Sequence, residues 1–136
     1  MKYLLILVAI LFASCAEVPQ PSQKSRQVAG LHPLRVRVTF YGGARERVAC
    51  PRIRFAQQGL SVAAHPKYPF GTKFIIPQLK PYLGNDTFIV HDRGSAVTSR
   101  RASHGRADVI DVFVNSMTTL RKFERDLPEY MEAIRL

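Results

Sequence analysis

The chain has 136 residues, of which 46% are hydrophobic and 22% are charged, and its formal net charge is +10. This length suits one domain preceded by an export segment and leaves little room for a second enzyme domain. The excess of positive charge favours a polyanionic surrounding, such as nucleic acid, anionic lipid or a wall polymer. Charge alone does not distinguish among these three.

Residues 1–14 have the pattern of an export signal. Lys2 supplies a positive start, residues 3–12 form an uninterrupted apolar run, and two small residues precede Cys15. The apolar run is too short to span a bilayer. A Cys after small residues resembles the lipobox of bacterial lipoproteins, which implies that residues 1–14 are a signal peptide and that Cys15 is lipidated. A plain secretory peptide is the alternative interpretation.

Residues 15–33 are the expected tether, beginning with the lipidated Cys. The segment is rich in Pro, Gln and Ser and shows no apolar period, which is typical of a flexible chain. The expected location is the periplasmic face of the cell envelope, with the outer membrane favoured over the inner because no Asp follows Cys15. Nucleic acid is then disfavoured as a partner, since an exported chain does not meet it.

Residues 34–136 are predicted to form one domain of six short strands and one helix. Residues 34–41 alternate apolar and polar side chains, as a half-buried strand does, and residues 109–114 are rich in β-branched side chains. Asn115 or Ser116 can cap a helix that ends before Pro128. This pattern indicates an all-β fold, a small six-stranded barrel with one short helix near the C-terminus. The predicted strands cover residues 34–41, 60–64, 72–76, 87–91, 109–114 and 130–136, with a second short helix as the alternative for the last.

Four short motifs together resemble one family. They are VAAHPK at residues 62–67, PFGTK at 69–73, HDRG at 91–94 and VIDVF at 109–113. In combination they resemble the three-aspartate (3D) domain family. That family shares its barrel with the catalytic domain of membrane-bound lytic transglycosylase A and, more distantly, with rare lipoprotein A and the expansins. The resemblance implies that residues 34–136 form a double-psi β-barrel.

The resemblance also implies a set of site residues. The three aspartates that name the family fall here at His65, Asp92 and Asp111, so two of the three are kept. Asp111 is the implied acid/base, and Asp92 and His65 are its implied supporting residues. The basic loop at 93–106 could hold carboxylates of wall peptides, or lie against lipid, through charge-assisted contacts. A solvated loop is the alternative. The residues expected to bind substrate are Tyr41, Lys67, Thr72, Arg93 and Arg106.

A physical argument supports Asp111 independently of the resemblance. Its apolar neighbours in residues 109–114 are expected to exclude water from the carboxyl, which raises its pKa and keeps a proton on it near neutral pH. A general acid requires such a proton. The alternatives are an Asp111 that accepts backbone hydrogen bonds for structural reasons, and a structural ion pair between Asp92 and Arg93.

The resemblance implies the activity of a lytic transglycosylase on peptidoglycan. Such an enzyme uses one carboxylic acid to cleave the linkage between N-acetylmuramic acid and N-acetylglucosamine, and it forms a 1,6-anhydro product without water. The alternative is a non-catalytic lipoprotein that binds the same glycan, because His65 replaces the first aspartate.

The expected partners are peptidoglycan glycan strands and, through the lipid anchor, the membrane, and the protein is expected to be a monomer. No cofactor is expected. No metal site is expected either, since the histidines His65, His91 and His104 lack a recognisable ligand spacing.

Overall fold

Residues 31–136 are described by a computed structural model of the protein. The predicted signal peptide, the lipidation of Cys15 and most of the predicted tether therefore lie outside the described residues. Within residues 31–136, no helix is both long enough and apolar enough to cross a bilayer.

Six strands close into a ring in the described part of the chain, in the order β1-β5-β2-β4-β3-β6. The prediction of a mostly β fold with six strands is confirmed, and each predicted strand agrees with the observed one to within one residue at either end. The last segment is a strand rather than the alternative helix. The strands are β1 Pro33–Tyr41, β2 Ser61–Ala63, β3 Lys73–Ile75, β4 Thr87–Asp92, β5 Asp108–Phe113 and β6 Tyr130–Arg135.

The prediction of a single helix is wrong, because residues 31–136 contain three α-helices: α1 Lys80–Leu83, α2 Ser95–Ser99 and α3 Met117–Asp126. The predicted helix is α3, and the Ser116 hydroxyl caps it by accepting a hydrogen bond from the Thr119 backbone N–H. The other two are too short to show a helical period in the sequence. One of them, α2, lies within the segment 93–106, which was predicted to be a basic loop.

Most strands that pair in the ring are distant from each other in the sequence. Among the described strands, only β3 and β4 are both consecutive in sequence and adjacent in the ring. The pairs β1–β5 and β2–β4 are parallel, and the remaining pairs are antiparallel. Because parallel neighbours need a crossover connection, residues distant in sequence come together on adjacent strands.

Alternation along each strand separates a barrel interior from an outer face. On β5, Ile110 and Val112 belong to the main core, whereas Val109 packs with Ala63 and with Val97 of α2 in a smaller outer cluster. Since side chains alternate along a strand, Asp111 lies on the outer face with Val109. The fully buried interior side chains include Val36, Val62, Phe74, Phe88, Val90, Ile110 and Val112.

Candidate active site

Two aspartates lie in one row across four neighbouring strands. Thr39 of β1 pairs with Asp111 of β5, Asp111 pairs with Ala63 of β2, and Ala63 pairs with Asp92 of β4 next to a β-bulge at Val62. With neighbouring strands about 4.8 Å apart, the Cα atoms of Asp92 and Asp111 are separated by roughly 10 Å. The fold thus brings together two of the three residues that the resemblance implies.

Asp111 is a mostly buried carboxyl with one hydrogen bond. The Thr39 hydroxyl donates to Asp111 Oδ1 at 2.8 Å, and no cation forms an ion pair with Asp111 among residues 31–136. Burial raises the pKa of Asp111 to about 6, against the lowering effect of the Thr39 hydrogen bond, and the nearby negative charges of Asp92 and Glu124 raise it further. A substantial fraction of the carboxyl therefore keeps its proton near pH 6, as a general acid requires.

Asp92 is held by backbone donors. Its side chain is 9% exposed, and its Oδ1 accepts hydrogen bonds from the backbone N–H groups of Ala49, at 2.9 Å, and Arg93, at 2.8 Å. The Ala49 bond ties the long loop after β1 to the end of β4. Asp92 therefore positions that loop beside the row.

Tyr41 ends β1 next to this row. Burial raises the pKa of its phenol well above the usual value, and the charges of Asp92 and Asp111 raise it further. The phenol therefore stays protonated. Its hydroxyl is buried, and its interaction with the Asp92 side chain also favours the protonated phenol. A side chain at Gly42 would overlap the Val114 carbonyl oxygen, so glycine at this position allows β1 to end close to β5 and sets Tyr41 in place.

His65 faces its own turn rather than the aspartates. Its Nδ1 lies 3.1 Å from the backbone N–H of Lys67, from which it accepts a hydrogen bond. Among residues 31–136, the side chain makes no hydrogen bond to Asp92 or Asp111. The residue that replaces the first family aspartate therefore lies in the loop after β2, two residues beyond Ala63.

Lys67 belongs to a different cluster. Its Nζ lies 2.6 Å from Asp108 Oδ2, which also accepts a hydrogen bond of 2.6 Å from the Tyr68 hydroxyl. Burial opposes ionisation of Asp108, but the hydrogen bonds from Lys67 and Tyr68 outweigh it and lower its pKa. Because Asp108 and Asp111 are three residues apart on a strand, their side chains lie on opposite faces, and Lys67 is kept away from the aspartate row.

Arg93 binds the backbone of neighbouring loops. Its guanidinium donates to the carbonyl oxygens of Tyr68 at 2.7 Å, Asp92 at 3.1 Å and Ala64 at 3.3 Å, and it stacks on the Phe70 ring at 4.0 Å. Arg93 forms no ion pair with the Asp92 side chain, which was the alternative interpretation of these two residues. Arg93 thus holds the 64–70 loop against the end of β4.

The two remaining predicted substrate contacts form no hydrogen bond with Asp92 or Asp111 among residues 31–136. Arg106 donates through Nε to the Ser103 carbonyl at 3.3 Å and lines a small hollow with Arg35 and Tyr130. Arg35 is four residues before Thr39 on β1, a distance of roughly 13 Å. Thr72 precedes β3, and its carbonyl accepts a hydrogen bond from the Val90 backbone N–H.

The residue that sequence reasoning missed is Thr39, whose hydroxyl is the direct partner of Asp111. The alternation along β1 places Thr39 on the outer face, and this was the one local sign that it could contact a site there. The pairing itself joins residues 72 positions apart and has no local signature. No group of three or more His, Cys, Asp or Glu side chains within residues 31–136 is arranged to hold a metal ion.

Comparison of the chain with known protein families, with curated proteins and with solved structures finds no match.

Proposed function

We propose that this protein cleaves peptidoglycan glycan strands as a lytic transglycosylase, with Asp111 as its acid and base. The observation that carries the proposal is the state of the Asp111 carboxyl. It is mostly buried, it lies without an ion-pair partner in the described part of the chain, and its pKa is raised to about 6. A carboxyl in this state can both donate and accept a proton near neutral pH.

One carboxyl is sufficient for this reaction. Protonated Asp111 gives its proton to the glycosidic oxygen, and the bond from that oxygen to C1 of the muramic acid breaks. The resulting carboxylate takes the proton of the muramic acid 6-hydroxyl, whose oxygen forms the new bond to C1. The 1,6-anhydro product leaves Asp111 protonated again, and because no water enters, the second carboxyl of ordinary glycosidases is not required.

Three neighbours support this role. The Thr39 hydroxyl fixes the orientation of the carboxyl through its bond to Oδ1. The buried, protonated Tyr41 phenol interacts with the Asp92 carboxyl and so helps to fix Asp92 in the row. The charge of Asp92 disfavours ionisation of Asp111 and would stabilise positive charge that develops on the sugar ring.

We further propose that the ring of strands is a double-psi β-barrel of the three-aspartate kind. Supporting this are the closed ring of six strands, its two parallel pairs β1–β5 and β2–β4, and the convergence of Asp92 and Asp111 on one row. The tether and the lipidated Cys15 would place such a domain at the periplasmic face of the envelope, where peptidoglycan lies.

The test is to incubate the purified full-length protein with purified peptidoglycan and to examine the released material by mass spectrometry. We expect anhydro-muropeptides from the unmodified protein and from Asp126→Asn, an exposed aspartate at the end of α3. We expect none from Asp111→Asn. Full release by Asp111→Asn, or absence of product from a folded unmodified protein, would overturn the proposal.

A second candidate is a wall-binding lipoprotein without catalysis. The position of His65 favours it, because this side chain bonds to its own turn and not to either aspartate. Retention on isolated sacculi with no soluble product would support this candidate. If His65→Asp then released anhydro-muropeptides, the histidine would be identified as the residue that silenced the site.

A further inference from the structure

A cleft of about 400 Å³ opens beside the aspartate row, between the loop after β1 and the turn before β3. Its walls are largely apolar, and Arg52 and His91 are the polar side chains among them. A cleft with apolar walls and few polar groups is the usual form of a small-ligand site. The lining residues are Cys50, Pro51, Arg52, Ile53, Phe70, Gly71 and His91.

The backbone links the cleft to the proposed active site. The backbone N–H of Cys50 donates to the His91 carbonyl at 2.9 Å, and the preceding residue, Ala49, donates to the Asp92 carboxylate. On the opposite wall, the Phe70 ring is fixed by the Arg93 guanidinium stacked on it at 4.0 Å. His91, which lines the cleft, and Asp92, which belongs to the aspartate row, are thus consecutive residues of β4.

The loop that forms one wall carries a net positive charge, since Glu46 is its one acidic residue. It contains the exposed arginines Arg45, Arg47, Arg52 and Arg54. None of these four forms an ion pair with any residue in 31–136. Two of them stack on one ring, since the guanidinium carbons of Arg45 and Arg54 lie 5.5 Å and 5.3 Å from the centre of Phe55. These arginines are therefore available to carboxylates of a ligand.

His91 adds a hydrogen-bond donor to the cleft. Its Nδ1 lies 2.9 Å from the Ser61 hydroxyl, which itself accepts a hydrogen bond from the Gln57 backbone N–H. When the Ser61 hydroxyl donates to Nδ1, the proton of a neutral imidazole lies on Nε2. Burial lowers the pKa of His91, which favours this neutral form.

We infer that the cleft and its arginine-bearing loop bind a short peptide with free carboxylates, attached to the glycan whose cleavage is proposed for Asp111. The apolar walls suit small aliphatic side chains, the arginines suit peptide carboxylates, and His91 can donate to a peptide carbonyl. The inference rests on the proposed function because it names the part of the same substrate that lies beside the reacting sugar. It predicts a preference for glycan that still carries its peptide stems.

The test measures binding by isothermal titration to the full-length protein carrying Asp111→Asn, which prevents turnover. One probe is a soluble muropeptide with free peptide carboxylates, and the other is the same glycan after its peptides have been removed with an amidase. We expect the double substitution Arg52→Gln and Arg54→Gln to weaken binding of the peptide-bearing probe about tenfold, the effect of losing roughly one charge-assisted contact. Binding of the peptide-free glycan should not change.

The matched control is the double substitution Arg121→Gln and Lys122→Gln, which removes two exposed positive charges from α3. It should leave both affinities unchanged. Equal affinity of the unmodified cleft for the two probes, or equal losses from the two double variants, would overturn the inference. A different result would overturn the proposed function, namely the absence of anhydro product from the protein in which Asp111 is intact. Peptide-selective binding without that product would leave the cleft assignment standing.

Discussion

Thr39 and Asp111 lie opposite each other on the parallel strands β1 and β5, and the threonine hydroxyl donates to the aspartate at 2.8 Å. This single bond opposes the effects that raise the pKa of Asp111, which are burial and the charges of Asp92 and Glu124. The hydroxyl therefore orients the carboxyl and limits how strongly it holds its proton.

Replacing Thr39 with Val should shift the pH dependence of activity. The bond favours the charged form of Asp111, so its loss raises the pKa above about 6. Activity that requires protonated Asp111 falls as pH rises through this pKa, and the fall should occur at higher pH in Thr39→Val. Rates of anhydro-muropeptide release across a pH series test this. Thr118→Val, at an exposed position of α3, is the control, and an unchanged profile in Thr39→Val would contradict the role of the bond.

Asp111→Asn should stabilise the protein at neutral pH. The folded-state pKa is about 6 against an ordinary value of 3.8, so the folded protein binds more protons than the unfolded chain between these values. Stability therefore falls as pH rises from 3.8 to about 6 and stays lowered above. Removing the ionisable group should raise the free energy of unfolding by about 2 kcal/mol at neutral pH, allowing for partial solvent access.

Urea denaturation of Asp111→Asn and of the unmodified protein at pH 7.5 and pH 4 measures this effect. The difference in the free energy of unfolding between the two proteins should be large at pH 7.5 and small at pH 4. A marked loss of stability at pH 7.5 would instead identify Asp111 as a structural residue.

Lys67→Gln should slightly lower the free energy of unfolding and leave the affinity for peptidoglycan unchanged. Lys67 pairs with Asp108, whose pKa is lowered in the folded protein, so the pair contributes stability above pH 3.8 that is lost as pH falls through the folded pKa. The lysine is 48% exposed, and its loss should cost less than about 1 kcal/mol.

The measurements for Lys67→Gln are urea denaturation at pH 7 and pH 3 and the KM for peptidoglycan. Lys122→Gln on α3 is the matched control. A raised KM for Lys67→Gln with unchanged stability would restore the substrate contact expected from the sequence.

Arg93→Lys should lower stability more than a surface arginine does. The guanidinium donates to three backbone carbonyls and stacks on Phe70, and an ammonium group cannot reproduce this planar arrangement. We expect the free energy of unfolding to fall by roughly 2 kcal/mol. Chemical denaturation compared with Arg101→Lys, an exposed position, provides the measurement. Equal effects of the two substitutions would show that Arg93 does not hold the loop.

Cys15→Ala tests the predicted anchor. Since a lipidated cysteine would hold the protein to a membrane through several acyl chains, the variant should leave the membrane fraction and appear in the soluble fraction. Cys50→Ala, which removes the buried thiol of the loop after β1, is the matched control and should remain with the membrane. Unchanged fractionation of Cys15→Ala would show that this cysteine is not the anchor.

Features that depend on neighbouring residues could be predicted from the sequence. Both β1 and β5 were predicted to within one residue, from the alternation in residues 34–41 and the β-branched run in 109–114. A strand that buries one face has apolar side chains at alternate positions, and this pattern can be recognised in the sequence. The same apolar run predicted that Asp111 would be buried with a raised pKa. The capping pair Asn115-Ser116 predicted the start of α3 for an equally local reason, and the structure shows that Ser116 is the cap. The helices α1 and α2 were missed, since one turn of helix leaves no periodic pattern.

Contacts between distant segments were decided only by the tertiary structure. His65, Lys67 and Arg93 were assigned to one site from the motifs, yet His65 bonds to its own turn, Lys67 pairs with Asp108, and Arg93 donates to backbone carbonyls. Local patterns in the sequence predicted which segments are strands and that the Asp111 carboxyl would be largely shielded from water. The ring order and register of the strands decided its partner Thr39 and its neighbour Asp92, because register depends on the simultaneous packing of all six strands around one core.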